Sequence, residues 1–223
     1  MFAFAIPAAA CLSTLHFARL VDLAFAGAWL PLLGGALAGV LVADFATGIV
    51  HWGCDSWGDA RTPWVGPGLI ASFRAHHRDP SAMLDHDWIE VNGEVATAAA
   101  AAFALMTLPI SQAWLSEHAF AAAFGWAGVS CGALANQLHQ WAHLPRPPLA
   151  VRGLQRAGLI LSRKRHGAHH RAPNTNAYCI STGWSNALLD AIRFWRGLER
   201  SITWLTGAEP RAHAPDNAGS PRG

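Results

Sequence analysis

The sequence predicts an all-α, polytopic membrane protein: a bundle of about three to four spanning helices with a histidine-rich metal site at the cytoplasmic membrane face. The first observation is composition, since 52% of the 223 residues are hydrophobic, 13% are charged and eleven are tryptophan. Soluble domains usually carry about 25% charged residues, and tryptophan is enriched at membrane interfaces. The second observation is that most histidines stand at the ends of long apolar segments. Much of the surface is therefore expected to face lipid.

Three apolar segments are long enough to span a bilayer, which takes about 20 residues of helix. They run from about Leu23 to Ile49, from about Val95 to Leu115 and from about Ala119 to Gln137. The short link between the last two predicts a helical hairpin, so residues 51–94 and the chain after Trp141 share one side of the membrane. Residues 1–22 form an apolar N-terminal segment, for which both a spanning and a surface-lying helix remain open.

The outer parts of the chain are expected to be peripheral. Two segments, Leu149–Leu161 and Ala187–Leu205, are amphipathic and predict helices that lie in the membrane interface. Residues 213–223 are rich in Pro, Ala and Gly, which predicts a disordered tail.

The distribution of charge predicts the orientation of the chain. The formal net charge of +2 is too small to favour nucleic acid as a partner. Most of the sixteen Lys and Arg residues lie from Arg146 onward, and cytoplasmic segments of membrane proteins carry such an excess. The metal site and the C-terminus are therefore expected to be cytoplasmic. The four cysteines show no CxxC spacing and favour neither a zinc knuckle nor a disulfide framework.

Nine of the twelve histidines stand in tight groups, and imidazole is a good ligand for iron, zinc or copper. The predicted metal ligands are His51, His76, His77, His86, His139, His143, His166, His169 and His170. Residues four apart share one helix face, as His139 and His143 do. Adjacent histidines in a helix point about 100° apart, so His169 and His170 can serve two different metals. The same holds for His76 and His77.

Three polar residues beside these histidines are candidate catalytic groups. Asp55 follows His51 by four residues and is expected to act in the site. Asn136 precedes the His139/His143 pair and is a candidate for orienting a ligand or the substrate. Glu90 is a candidate ligand, acid/base group or helix cap.

The number of histidines narrows the choice of metal. Catalytic zinc usually has three protein ligands and structural zinc four, so nine imidazoles are too many for one zinc ion. Two iron ions that share eight or nine imidazoles, with open positions for oxygen, account for the number. A histidine-rich set of this kind is typical of membrane desaturases and hydroxylases.

Six motifs occur in order, and together they resemble the plasmanylethanolamine desaturase family, the lipid desaturase domain that includes the bacterial CarF-type proteins. They are DFATGIVHWGCDSWG, FRAHHRDP, HDWIEVNGE, NQLHQWAH, RHGAHHRAPNTNAYCISTGW and FWRGLER. The likeness covers about residues 38–212, so a desaturase domain is expected over 23–212. One departure is Arg165, which stands where animal members have a further histidine before HxxHH.

The resemblance implies an O2-dependent membrane oxidoreductase with a histidine-bound di-iron centre. The best-known members form the vinyl ether double bond of plasmalogens from plasmanyl phospholipids, and a plant branch desaturates an acyl chain of phosphatidylglycerol. The nine histidines would be the ligands, with Asp55 beside them. No nucleotide-binding GxGxxG motif is visible, so electrons would come from a partner such as cytochrome b5 or a ferredoxin. An integral protein of a bacterial inner membrane or an ER-like membrane is expected.

Two alternatives remain open from the sequence. One keeps the di-iron site but changes the outcome to acyl desaturation or hydroxylation. The other is a metal-binding membrane protein without redox chemistry, which predicts fewer ligands, spread through the depth of the bilayer.

Overall fold

The computed structural model describes residues 2–107 and 112–211, and within these ranges the regular structure is helical, with no β-strand. The α-helices are α1 (Phe2–Phe25), α2 (Trp29–Ser56), α3 (Ala71–Arg78), α4 (Trp88–Met106), α5 (Gln112–Glu117), α6 (Ala119–Ala133), α7 (Ala135–His143), α8 (Leu149–Arg156), α9 (Arg163–His169), α10 (Asn186–Ala191) and α11 (Phe194–Thr206). The prediction of an all-α fold is confirmed. The predicted disordered tail, 213–223, lies outside the described residues.

Helices α1, α2 and α4 are long and apolar enough to cross a membrane. Helices α6 and α7 pass the same test as a pair, bent by 45° at the break between them. The described part of the chain therefore contains three or four candidate spans, as the composition predicts. The N-terminal segment forms one of them, since the candidate span in α1 runs over Ala3–Phe25.

The first predicted span is split from the N-terminal segment at a glycine. Gly27 has a φ of 91°, a left-handed backbone conformation that glycine adopts readily and that commonly ends a helix. Residues Leu23 to Phe25 therefore belong to α1, and α2 begins at Trp29. Helix α2 continues beyond the predicted end at Ile49, so that its last two turns carry His51 and Asp55.

The second predicted span begins earlier than its apolar run. Asp87 caps α4, accepting hydrogen bonds from the backbone N–H groups of Ile89 and Glu90 at 2.8 and 2.9 Å. The Glu90 carboxylate accepts one in return from the Asp87 N–H at 3.0 Å, which completes a capping box. The helix therefore begins at Trp88 and not at Val95. Residues 108–111, within the predicted span, lie outside the described part of the chain.

The predicted amphipathic segment over Ala187–Leu205 is interrupted. Arg193 has a φ of 54°, which is unfavourable for a residue with a side chain and ends the α-helical path. Helix α10 therefore stops at Ala191 and α11 starts at Phe194.

The chain divides into two compact units. The first unit draws on positions 1–45 and 86–139, and the second on positions 46–85 and 140–223. Within the first unit, α1 packs against α4 and α6, around a core that includes Ala9, Ala99 and Phe103.

Two glycines let α2 and α6 approach closely inside the first unit. A Cβ atom added to Gly35 would meet the backbone oxygen of Phe120, and one added to Gly39 would meet that of Phe124. Small residues four apart are a common device for close packing of helices in lipid. The spacing of Gly35 and Gly39 therefore fixes how near these two helices can lie.

We expect Gly39→Ala to destabilise the protein, because the new methyl group meets backbone, which cannot rotate away. Overpacking of this kind costs about 1–3 kcal/mol. The measurement is thermal unfolding of the detergent-solubilised protein. The matched control is Gly132→Ala on α6, where an added Cβ has no neighbour within 4 Å and should leave the midpoint equal or slightly higher. Equal midpoints for both variants would contradict this account of the contact.

Candidate metal centre

Eight of the predicted site residues converge in two groups, and all eight lie in the second unit. In each group the potential ligand atoms lie within 4.8 Å of one another. The Asp55 group is His51, Asp55, His77 and His169, and the His143 group contains His76, His143, His166 and His170. Helices α2, α3, α7 and α9 supply these side chains, with His170 at the C-cap of α9.

One carboxylate oxygen lies at the centre of the Asp55 group. Asp55 Oδ2 is 2.9 Å from Nε2 of His77, 3.5 Å from Nε2 of His51 and 3.6 Å from Nε2 of His169. The rings of His51 and His169 are packed edge to face with their centroids 4.3 Å apart. Both of these side chains have no exposed surface, and Asp55 as a whole is 8% exposed. The group therefore presents three imidazole nitrogens and one carboxylate oxygen to a shared point that is shielded from water.

The His143 group is built from imidazoles. Nε2 of His170 lies 2.9 Å from Nε2 of His166 and 3.2 Å from Nε2 of His76. The ring of His143 packs against those of His76 and His166, with both centroid separations at 4.6 Å. Converging nitrogens of this kind are a donor set for a transition metal.

The adjacent histidine pairs are divided between the two groups. On α3, His76 belongs to the His143 group and His77 to the Asp55 group; after α9, His170 and His169 divide in the same way. This division follows from the change of direction of about 100° between adjacent helical side chains.

Main-chain carbonyl groups orient two of the imidazoles in the Asp55 group. The Nδ1–H of His169 donates to the carbonyl oxygen of Asn176 at 2.7 Å, and that of His51 donates to the carbonyl oxygen of Tyr178 at 3.1 Å. A ring that donates from Nδ1 keeps its Nε2 lone pair free for a metal, and such a partner also fixes the ring orientation. In both residues it is Nε2 that faces Asp55.

The segment that supplies these carbonyl groups is held by side chains from the following helix. Asn186 makes two hydrogen bonds to the backbone of Cys179, accepting from its N–H and donating to its oxygen, both at 2.9 Å. The Asp190 carboxylate accepts from the Ala177 N–H at 3.2 Å. Tyr178 is fully buried, and its hydroxyl group donates to the Asn174 oxygen at 3.0 Å. The carbonyl groups that face His51 and His169 are therefore part of a braced loop.

Burial lowers the pKa of two histidines in the His143 group, His76 and His170. Desolvation, followed by the nearby histidines His143 and His170, lowers the pKa of His76 to about 2. Desolvation, followed by the nearby histidines His143 and His77, lowers the pKa of His170 to about 3. These imidazoles are therefore neutral near pH 7, which is the form that binds metal.

A buried carboxylate on α11 braces the end of α2. Glu199 Oε1 accepts hydrogen bonds from Trp52 Nε1 at 3.2 Å and from the Ser56 hydroxyl at 3.5 Å. Trp52 and Ser56 each directly follow a member of the Asp55 group along the chain. The packing of α11 therefore supports the position of both His51 and Asp55.

The other predicted site residues belong to the first unit. His139 is buried and lies one turn before His143 on α7. The His86 side chain is 58% exposed, and its Nδ1 lies 3.1 Å from the Glu90 carboxylate, which also caps α4. Asn136 donates to the Val91 oxygen at 3.0 Å. Roles for these four residues in the site stay predictions.

The donor atoms fit a pair of bound metal ions. An ion that binds nitrogen or oxygen at about 2.1 Å holds neighbouring ligand atoms roughly 3.0–3.4 Å apart. The separations of 2.9–3.6 Å around Asp55 Oδ2 match this spacing, and so do those of 2.9 and 3.2 Å around Nε2 of His170. Neutral imidazoles with a single carboxylate suit iron, zinc or copper better than magnesium or calcium, which prefer oxygen ligands.

Sequence reasoning missed the supporting residues. The carbonyl groups of Asn176 and Tyr178 act through the main chain, so residue type carries no signal for them. Arg74 donates to the Cys54, Trp57 and Gly58 oxygens at the end of α2 and was not among the predicted site residues. Glu199 did offer a signal, because an acid four residues after Trp195 falls on the apolar face of an amphipathic helix.

Comparison with known proteins points to one family. The family model described as the lipid desaturase domain matches residues 40–213. The chain is 41% identical over 195 residues to the plasmanylethanolamine desaturase of Myxococcus xanthus, covering 86% of this chain and 68% of that protein. It is 42% identical over 184 residues to plasmanylethanolamine desaturase 1 of Mus musculus, covering 80% and 67%. It is 35% identical over 191 residues to the chloroplastic fatty acid desaturase 4 of Arabidopsis thaliana, covering 84% and 56%. No solved structure matches the chain.

Proposed function

The chain belongs to the lipid desaturase family, and we propose on that basis that it forms the vinyl ether double bond of plasmalogens from plasmanyl phospholipids, using O2. The desaturases that it resembles are oxidoreductases that act on lipids, and its apolar helices fit a membrane protein. The observation that carries the proposal is the pair of histidine groups inside a matched desaturase domain. Identity favours the ether lipid, since it is 41–42% to the two plasmanylethanolamine desaturases and 35% to the plant fatty acid desaturase.

The two groups would hold a pair of iron ions. When bound, iron would supply the oxidising power that removal of hydrogen from an unactivated C–H bond requires. His51, Asp55, His77 and His169 would hold one ion, and the members of the His143 group the other. The residues of the Asp55 group exclude water from their shared point through burial. The carbonyl groups of the loop after α9 hold the histidine tautomers.

Four further residues complete the proposed site. His139 is a proposed ligand beside His143, because the two are one helical turn apart and His139 is buried. His86 is proposed as a ninth histidine ligand, with Glu90 as the carboxylate that orients its ring. Asn136 precedes His139 by three residues on α7, and it is proposed to orient the substrate rather than to hold metal.

The electron balance of the proposed reaction requires a protein that donates electrons. Forming the alkene releases two electrons and two protons from the lipid, whereas reduction of O2 to two waters takes four of each. The remaining two electrons would come from an external donor of the cytochrome b5 or ferredoxin type. Arg163, Lys164 and Arg171 are exposed near the proposed ligands of α9, and could attract an acidic donor.

The proposed orientation places the metal groups and the C-terminus in the cytoplasm, at a bacterial inner membrane or an ER-like membrane. The basis is the excess of Lys and Arg after residue 146, since cytoplasmic loops of membrane proteins carry such an excess.

The test of the proposal is lipid mass spectrometry after expression in cells that contain plasmanyl lipids but lack the desaturase. We expect acid-labile ether lipids lighter by one H2, because a vinyl ether is cleaved by acid and an alkyl ether is not. The His143→Ala variant should lose this product, since His143 belongs to one of the two groups. The matched control is His118→Ala, an exposed histidine outside both groups, which should keep it.

Other products would change the proposed substrate or the proposed activity. Loss of H2 from an acyl chain, with unchanged ether lipids, would retain the desaturase and reject the ether substrate. No change in any lipid, with iron and a reducing partner present, would favour a metal-binding membrane protein without redox chemistry.

A further inference from the structure

An apolar loop projects from the second unit between α2 and α3. Trp64 is 99% exposed, and Val65 and Leu69 are exposed as well. We term these three side chains the Trp64 tip. Tryptophan is highly buried on average, and no charged residue occurs between Arg61 and Arg74. The tip therefore presents an apolar surface whose exposure to water is unfavourable.

The backbone at Trp64 adopts an uncommon conformation for a bulky residue. Its φ is 70°, and the Val65 N–H donates to the Pro63 oxygen at 2.9 Å. A positive φ within a three-residue hydrogen-bonded turn is the rare and strained form of the γ-turn. Strain of this kind persists where the surrounding structure fixes it, and it is concentrated at functional positions.

The base of the loop is packed and hydrogen-bonded. The Gly66 N–H donates to the Thr62 oxygen at 2.8 Å, and the Ile70 N–H donates to the Val65 oxygen at 3.0 Å. Gly66 lies so close to Asp59 that an added Cβ would meet the backbone oxygen of that residue. Ile70 is buried. The Trp64 tip is therefore presented by a well-packed support.

The loop follows a helix that is long and apolar enough to cross a membrane. Helix α2 is a candidate span that ends at Ser56, eight residues before Trp64. Val50, near the end of α2, is an exposed apolar residue. The end of a spanning helix lies at the level of the lipid headgroups, where tryptophan is enriched. The surface of a bilayer around α2 is therefore within reach of the Trp64 tip.

A bilayer fits the Trp64 tip better than a partner protein does. A stable protein interface buries about 800 Å² on each partner, whereas the tip consists of three side chains on a narrow loop. The exposed Arg61 side chain is paired with Asp59, with 3.0 Å between Nη2 and Oδ2. The loop thus has an ion pair at its base and apolar side chains at its tip, which matches the change from headgroups to acyl chains in a bilayer.

We propose that the Trp64 tip inserts into the interfacial layer of the phospholipid bilayer, on the side of the membrane where α2 ends. Insertion would remove the three apolar side chains from water. It would also hold the loop between α2, which carries Asp55, and α3, which carries His76 and His77, at the membrane surface. The inference stands apart from the proposed function, because it does not depend on which lipid the protein converts.

The experiment is photo-cross-linking of the full chain in the membranes of the expressing cells. The photoreactive amino acid p-benzoylphenylalanine replaces Trp64 in one variant and Leu69 in another, and mass spectrometry identifies the adducts. Both positions should yield phospholipid adducts. The matched control places the same amino acid at Lys164, an exposed residue of α9 in a charged segment. It should give about tenfold less lipid adduct, since burial of one aromatic side chain corresponds to at least that factor in occupancy.

A second measurement changes the tip very little. Trp64→Phe removes one indole, so the difference between its fluorescence and that of the unaltered chain reports on Trp64. In nanodiscs of phosphatidylcholine brominated near the headgroup end of the acyl chains, this difference should be smaller than in unbrominated nanodiscs, because bromine quenches an indole that it contacts. Bromine near the methyl ends should quench it less. Equal elution of all variants and the unaltered chain in size-exclusion chromatography excludes a folding defect.

Three results would overturn the proposal. Adducts at positions 64 and 69 that contain only protein, from a second copy or another chain, would make the tip a protein-docking surface. Lipid adducts no more abundant than at position 164 would place the tip in water, and so would an equal fluorescence difference in brominated and unbrominated nanodiscs. None of these results bears on the proposed function, since desaturation is not the readout.

Discussion

His169→Ala and His170→Ala are each expected to reduce desaturation by at least about 100-fold, and each should lower the bound iron by about one ion per chain. Loss of a residue that merely orients a ligand typically costs 10–100-fold in metal affinity or activity, and loss of a ligand should cost at least as much. The two residues are adjacent in sequence, yet His169 faces Asp55 while His170 lies with His76 and His166. Each variant should therefore impair a different group.

The measurement combines iron quantification by mass spectrometry with lipid product yield from the same purified sample. The double variant, His169→Ala with His170→Ala, should lose both ions, since both groups are then incomplete. His118→Ala serves as the control, because it removes an exposed imidazole that packs on Trp114 outside both groups. Complete loss of iron from either single variant would indicate one shared site and would contradict the division into two groups.

Asp55→Asn is expected to lower desaturation by at least about 100-fold while leaving the iron-free protein as stable as before, or more stable. The carboxylate oxygen lies within 3.6 Å of three imidazole nitrogens, and an amide of the same shape is a much poorer metal ligand. Burial of a charge disfavours folding unless the charge is compensated. Without metal, the substitution therefore removes the free-energy cost of burying a charge. With metal, it removes a ligand of the ion.

The check is thermal unfolding of the iron-free and iron-loaded proteins, compared for Asp55→Asn and the unaltered chain. Iron should raise the midpoint of the unaltered chain by more than that of the variant, since a ligand stabilises the state that binds it. Glu209→Gln, which removes an exposed carboxylate, should behave as the unaltered chain does. An equal gain from iron in both proteins would show that Asp55 has a structural role only.

The sequence predicts which residues contribute to the site better than it predicts how those residues are arranged. Histidine spacing along α3 and after α9 predicts that neighbouring rings serve different metals, because that follows from helical geometry alone. Spacing cannot tell which ring on one helix meets which ring on another. The pairing of His76 with His170 depends on how α3 packs against α9, which is a tertiary property.

The helix boundaries differ from prediction for identifiable local reasons. Gly27 interrupts an apolar segment and Arg193 an amphipathic one, because the backbones of both residues adopt positive φ. Asp87 starts α4 before its apolar run begins, since a capping box satisfies the first N–H groups. Apolar length predicts where a helix can cross lipid, whereas capping and backbone conformation decide where it begins and ends.

Two histidine doublets, His76/His77 on α3 and His169/His170 at the end of α9, link the two groups. Each doublet contributes one ring to each group, so the offset between the groups is set by a single residue step along a helix, a rise of about 1.5 Å with a turn of about 100°. The connecting segments can therefore change in length without altering that offset. Inserting one residue between His76 and His77 would rotate one of the two rings away from its group by about 100°.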